Sequence, residues 1–391
     1  LGRAMGAGDK NYAEKIIHTA IKICFVGGLI VSAIGVLFAT PLLKLIDVPI
    51  DVMPQARIYM RILFSGQMFS LTYNFGAAIL RTKGDTKRPL YIVSISGIIN
   101  VILNLIFVIN FKMGAGGVAL ATVISQIFTA VCILRILCTE TDGLKLDFKK
   151  LKFDKNAFCD IFRIGIPSGA QASIFSVANI IIQSSVNSFG AAAIAGGAAA
   201  ANIGEFCYLA LNSMNQAAVV FVSRNYGAKQ YTRIKKIVFV CMAYVGIIWA
   251  IEALITIFFG RSLISIFAPG DIDAIEKGVI RFTITGTTYG LCGLMNVMTG
   301  ALRGLGKSVS TMLVSIIGVC GIRLVWIFTV FKSMHDFGIL FLSFPLSWLG
   351  TFAMQALLFI YFYKKLTKNK KKRFFLIKNA RLTFFHKDAT I

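Results

Sequence analysis

The chain is 391 residues long, 57% hydrophobic and only 15% charged, with a mean hydropathy of +0.76. A soluble domain carries roughly 25% charged residues, so an ordinary water-soluble core is excluded. The formal net charge of +24 is spread over connectors and is not gathered on the basic, aromatic-bearing face that nucleic-acid binding requires, so no nucleic-acid partner is expected.

A helix needs about 20 mostly apolar residues to cross a bilayer. Ten stretches qualify, at about 16–39, 57–80, 90–110, 115–138, 162–189, 194–222, 234–259, 277–302, 309–331 and 337–363. They are continuous runs without period-two alternation, which excludes a transmembrane β-barrel. In chain order, 1–138 reads as an N-terminal lobe of four helices and 139–160 as a charged cytoplasmic linker containing Asp142, Lys145, Asp147, Lys149, Lys150 and Asp154. Residues 161–363 read as a C-terminal lobe of six helices, and 364–391 as a basic cytoplasmic tail suited to anionic lipid headgroups or to solvent. Lys and Arg collect in every second connector, while the intervening ones hold little beyond Lys44, Lys112, Arg261 and Lys332. That alternation marks the cytoplasmic side along the whole chain.

Two connectors recur about 221 residues apart. Arg3-Ala4-Met5-Gly6-Ala7-Gly8-Asp9 answers Arg224-Asn225-Tyr226-Gly227-Ala228-Lys229-Gln230, and Arg81-Thr82-Lys83-Gly84-Asp85-Thr86 answers Arg303-Gly304-Leu305-Gly306-Lys307-Ser308. A duplicated set of membrane spans is a common build for secondary transporters. Two spans precede Arg224 and none precedes Arg3, so an upstream hairpin is expected. The expected fold is an all-α polytopic membrane protein of two six-helix lobes related by internal repeat. Ten helices stand in this chain and twelve are expected in the full protein, with both termini cytoplasmic.

The eight cysteines are scattered without CxxC spacing and read as small apolar packing residues. The three histidines are far apart and suggest no metal site. Gly306-Lys307-Ser308 ends like a P-loop, but the position of its first glycine is Ala301 and a membrane helix, not a strand, precedes it. ATP hydrolysis is not expected, nor any enzyme activity.

Several segments together resemble the multidrug and toxic compound extrusion (MATE) family. They are Arg163-Ile164-Gly165-Ile166-Pro167-Ser168-Gly169, Asn187-Ser188-Phe189-Gly190, Asn225-Tyr226-Gly227-Ala228, Gly293-Leu294-Met295-Asn296-Val297 and Ala301-Leu302-Arg303-Gly304-Leu305-Gly306. The first lobe adds Arg81–Thr86 with Pro89, and Gly114–Thr122. The likeness runs over about residues 1–365. It implies two six-helix lobes around a central cavity in the plasma membrane, and cation-driven export of organic, often cationic, compounds. Many relatives carry an acid where this chain has Asn104 and Asn296.

The residues themselves single out 194–222. At 100° per residue, Asn202, Glu205, Tyr208, Asn212, Asn215 and Gln216 fall within an arc of about 140°. The preceding span has its own stripe, Ser176, Asn179, Gln183 and Asn187. Polar stripes in hydrocarbon are expected to face one another or a watery cavity, as substrate contacts or as plain interhelical hydrogen bonds. Glu205 is the ionisable member and the candidate cation-coupling group, able to trade H⁺ or Na⁺ for an organic cation. Asn296 and Arg323 complete the candidate cavity, with Arg323 expected to pair with Glu205 or with backbone carbonyls. Glu252 lies toward the outer end of its span and is expected to reach the headgroups.

The resulting expectation is a monomeric secondary-active exporter that contacts membrane lipids and uses no cofactor beyond its coupling ion, H⁺ or Na⁺. The alternatives are a lipid-linked oligosaccharide flippase of the same superfamily and an inert truncated fragment.

Overall fold

Inside a bilayer no water replaces a lost backbone hydrogen bond, so each apolar stretch must close its own bonds as helix. The computed structural model describes residues 1–45, 48–140 and 145–388, without the side chains at 150 and 369–388. Asp142 of the expected linker and the side chains of the tail beyond Lys368 lie outside the described residues. The chain forms two compact units, Leu1–Phe162 and Arg163–Ile391.

The first unit contains α1 (Gly2–Gly6), α2 (Lys10–Leu45), α3 (Met53–Ser65), α4 (Gln67–Lys83), α5 (Lys87–Leu105) and α6 (Gly114–Thr139). From α7 (Lys155–Asn187) the chain enters the second unit, with α8 (Ala191–Gly227), α9 (Tyr231–Phe267), α10 (Ile272–Gly286) and α11 (Tyr289–Gly304). There follow α12 (Ser308–Ser315), α13 (Ile322–Trp326), α14 (Lys332–Met334) and α15 (Phe337–Asp388).

All ten expected stretches are helical, and among the described residues eight helices are long and apolar enough to cross a membrane. The other two are interrupted. The stretch 57–80 breaks at Gly66 between α3 and α4, and 277–302 breaks at Thr287 and Thr288 between α10 and α11. These two breaks fall at matching places in the repeat. So do the π-helical turns Ile106–Asn110 and Ile327–Phe331. The left-handed residues recur as well: Gly8 with Lys229, Gly84 with Gly306, and Lys112 with His335. The duplication seen in the connectors therefore extends to the backbone.

Residues 146–154 are laid along α2 of their own unit. The Asp147 N–H donates to His18 Nε2 at 3.2 Å, and the Asp154 N–H to Thr19 Oγ1 at 3.1 Å. Lys15 pairs with Asp154 at 3.4 Å, and the Tyr12 hydroxyl donates to Asp160 at 2.8 Å. Leu146, 1% exposed, sits among Ile17, Ile21 and Leu137. Its polar residues thus hold this segment on the first unit through specific bonds.

Glu140, at the end of α6, closes the bundle at the α4–α5 connector. Its carboxylate accepts from Lys83 Nζ at 2.7 Å and from Arg88, which also pairs with Asp85. The second unit makes the corresponding closure without an acid: Lys307 lies 4.7 Å from the ring centroid of Phe362. Burial pushes the Glu140 carboxyl up, but Lys83 and Arg88 outweigh it and hold it below the usual carboxylate range. For Asp85 too, burial acts upward and Arg88 outweighs it. A depressed pKa contributes stability above the unfolded value that is lost as pH falls through the folded one. Glu140→Gln is expected to cost about 1–3 kcal/mol at neutral pH, because two cations lose their acceptor. Thermal unfolding in detergent, followed downward from about pH 7, is expected to show a shallower acid loss in the variant than in the wild type. Parallel acid profiles would assign that loss to other groups.

Candidate functional site

The second unit carries the site residues expected from the sequence. On α7, Asn179 and Gln183 are exposed, and Gln183 Nε2 donates to Asn187 Oδ1 within the same helix at 3.0 Å. On α8 the expected stripe divides. Asn202, Glu205 and Gln216 are exposed, Tyr208 and Asn212 are half-buried, and Asn215 is buried. Asn215 Nδ2 donates to Asn212 Oδ1 at 3.1 Å, and Asn215 packs where α8 meets Gly300 of α11. The stripe therefore runs from an exposed face into a helix interface. Asn296 is buried on α11, with its amide 3.6 Å from Cys292 Sγ.

Arg323 is 5% exposed, in the short α13 between two π-helical stretches. Its partner is neither Glu205 nor a carbonyl. Nε donates to Ser347 Oγ at 3.0 Å, and the guanidinium lies 4.0 Å from the Phe344 centroid and 5.9 Å from that of Trp348. The same face of α15 receives Arg281 over Phe341 at 4.8 Å and Lys277 over Phe337 at 5.3 Å. Aromatic faces can hold desolvated cations, which is how these charges are accommodated without a carboxylate at contact. Arg303, expected as a connector residue, donates inward to buried Gln171 of α7 at 2.9 Å.

The break between α10 and α11 is enclosed by α9. A break in a membrane helix frees carbonyls that must find donors. Thr285, Thr287 and Thr288 supply hydroxyls to the carbonyls of Arg281, Thr283 and Ile284 at 2.9, 2.6 and 2.6 Å. The Thr287 carbonyl accepts from Trp249 Nε1 at 2.7 Å. Glycines let α9 come this close: a Cβ at Gly290 would overlap the Trp249 ring, and one at Gly286 would press on Thr256.

Between Trp249 and Thr256, on this enclosed face, stands Glu252. It is 8% exposed, and neither carboxylate oxygen has a hydrogen-bond partner. The expectation that it reaches the headgroups is corrected: helix packing around the break buries it. Sequence reasoning missed the interruption, the Trp249 bond and the burial of Glu252. A signal was present in Thr285-Gly286-Thr287-Thr288, a run that weakens a helix and supplies local hydroxyl donors.

A family model, MatE, matches residues 1–106 and 167–329. The chain is 25% identical to the probable multidrug resistance protein YoeA of Bacillus subtilis, over 95% of this chain and 81% of that protein. It is 22% identical to the FAD transporter of Shewanella oneidensis, over 81% of this chain and 71% of that protein. Its fold is similar to the crystal structure of the Vibrio cholerae MATE transporter VcmN in the bent form. There the TM-score is 0.84 at 20% identity, covering 93% of this chain and 82% of that one.

The glycine–tryptophan fit at the break is testable. Gly290→Ala is expected to lower stability by at least about 1–3 kcal/mol through overpacking. In a Trp249→Ala background the same change is expected to cost much less, a non-additivity that unfolding midpoints of the single and double variants would measure. Additive costs would mean that the two residues do not constrain one another.

Proposed function

The chain belongs to the MatE family of multi-pass membrane transporters, and we propose that it exports organic, often cationic, compounds from the cell. Export is driven by antiport against H⁺ or Na⁺, with two lobes alternating access to the substrate. The observation that carries this reading is Glu205, an exposed carboxylate within a helix long and apolar enough to cross a membrane. An acid inside a membrane segment is costly and is kept for ion or substrate traffic.

In this reading Glu205 binds either the coupling ion or the positive charge of a substrate, and mutual exclusion gives exchange. Asn179, Gln183, Asn202, Tyr208, Asn212 and Gln216 offer polar contacts to the cargo. Asn215, Asn296 and Arg323, packed within the second unit, set the shape behind them. The relatives named for multidrug resistance support the organic-compound class.

A second reading has a specific observation in its favour. Lys277, Arg281 and Arg323 stack on aromatic rings of one α15 face, and Arg303 turns inward. Such a basic interior suits an anionic cargo, including a pyrophosphate-linked lipid, and one relative is named for FAD, itself an anion.

Efflux from pump-deficient cells distinguishes the two. A fluorescent organic cation is expected to leave energised cells expressing the protein. Efflux is expected to stop with an ionophore and to fall to the empty-vector level in Glu205→Gln. Retention of the cation alongside export of an anionic dye, with normal expression, would favour the second reading.

A further inference from the structure

Glu252 is a charge-bearing group that the packing leaves without a partner. Trp249, one turn earlier on α9, bonds the Thr287 carbonyl, and Thr256, one turn later, packs at Gly286. Glu252 is thereby bracketed against the interruption between α10 and α11. An ionised carboxylate buried without donors is too costly to persist, so in this packing the group must be neutralised.

The surroundings decide what neutralises it. Of the helices packed against α9, α8 carries the half-buried Cys207 and α11 the buried Cys292. Several other charged or titratable groups on the neighbouring elements are engaged elsewhere or exposed. Arg281 of α10 lies over Phe341, Tyr289 of α11 stacks on Trp348 at 5.4 Å, and Arg323 lies over Phe344. On α8, Glu205 is exposed. The Thr256 hydroxyl donates to the Glu252 backbone carbonyl at 2.8 Å, and the Thr287 carbonyl is occupied by Trp249. No hydrogen-bonding group reaches either Glu252 oxygen, whereas a hard cation such as Na⁺ needs several oxygen ligands. A proton needs only the carboxylate itself.

We propose that Glu252 is a proton-carrying site of the second unit, protonated when α9 is packed against the α10–α11 break and releasing its proton when that packing opens. The step is a simple ionisation, R–COOH to R–COO⁻ and H⁺, with the proton passing to water admitted at the break. Closed packing favours the acid and open packing favours the carboxylate, so the proton biases the conformational equilibrium through its differential affinity for the two states. The role in export rests on the transporter reading above; the protonation itself does not.

Infrared difference spectroscopy of the full chain in liposomes, stepped between about pH 5 and about pH 9, reads the C=O stretch of a buried protonated carboxyl. A titrating band is expected in the wild type and in Glu205→Gln, and its absence in Glu252→Gln. In Glu252→Asp the band is expected to persist at a shifted frequency, which keeps the test valid if the amide variant folds poorly. Because Gln is neutral and nearly isosteric with the protonated acid, Glu252→Gln is expected to match or exceed wild-type thermal stability at neutral pH. An undiminished band in Glu252→Gln, no titrating band in the wild type, or erasure of the band by Na⁺ at constant pH would each overturn the proposal. Loss of dye efflux in Glu205→Gln with the band intact would separate this site from the one assigned to substrate exchange.

Discussion

Satisfying polar groups without water is the constraint on which this molecule's architecture depends. Continuous helices meet it at once, and the eight helices among the described residues that are suited to crossing a membrane do so over most of their length. The two interruptions meet it differently. At Gly66 the N–H stays bonded to Ile62 and Leu63, and the Ser65 hydroxyl donates to Ile62, so the break is repaired by its own turn. At Thr287 and Thr288 local hydroxyls are joined by an indole from another helix. The second interruption is therefore coupled to α9, and a movement there must alter the packing of Trp249 and Glu252 together.

The repeat copies the skeleton more faithfully than the chemistry. Left-handed turns, π-helical turns and interruptions recur across the two units. The side chains filling equivalent places do not. In the first unit a glycine of α2, Gly28, receives Met68 of α4; in the second, a glycine of α11, Gly290, receives Trp249 of α9. The connector is closed by Glu140 ion pairs in one unit and by a Lys307–Phe362 contact in the other. At the repeat positions of Glu252 the first unit has Ile30 and Val31, both exposed and apolar. Duplication supplied a frame, and the acids inside the expected spans, Glu205 and Glu252, stand on the second copy of it.

This division explains what could be read from the residues alone. Helices were legible because apolar runs are local and the bilayer sets their length. The repeat was legible because short polar connectors stand out between such runs. The interruptions were not, since Gly66 and Thr287-Thr288 sit inside stretches whose overall composition is that of a span. The sequence shows Arg323 as a charge inside a span but not its partners, Ser347 and the rings of Phe344 and Trp348, more than twenty residues away. Periodicity along one helix carries no information on such pairings. The α8 stripe shows the same limit, because an angular arc groups Glu205 with Asn215 although one is exposed and the other buried. The burial of Glu252 escapes the sequence for a related reason. Its depth depends on glycines of α10 and α11 that allow α9 to approach, which is a tertiary fact.

An orphaned carboxyl is informative because the packing around it spends stability without an evident structural return. A purely structural buried position would be filled at lower cost by an apolar residue. Retention of an acid beside an interrupted helix makes sense if the acid changes state and the interruption responds. Each alone is weak: a break can be static, and a buried acid can stay protonated in every conformation. Together they link the charge of one side chain to the closure of one helix pair. That link is the minimum a transporter needs for an ion to favour one conformation over another.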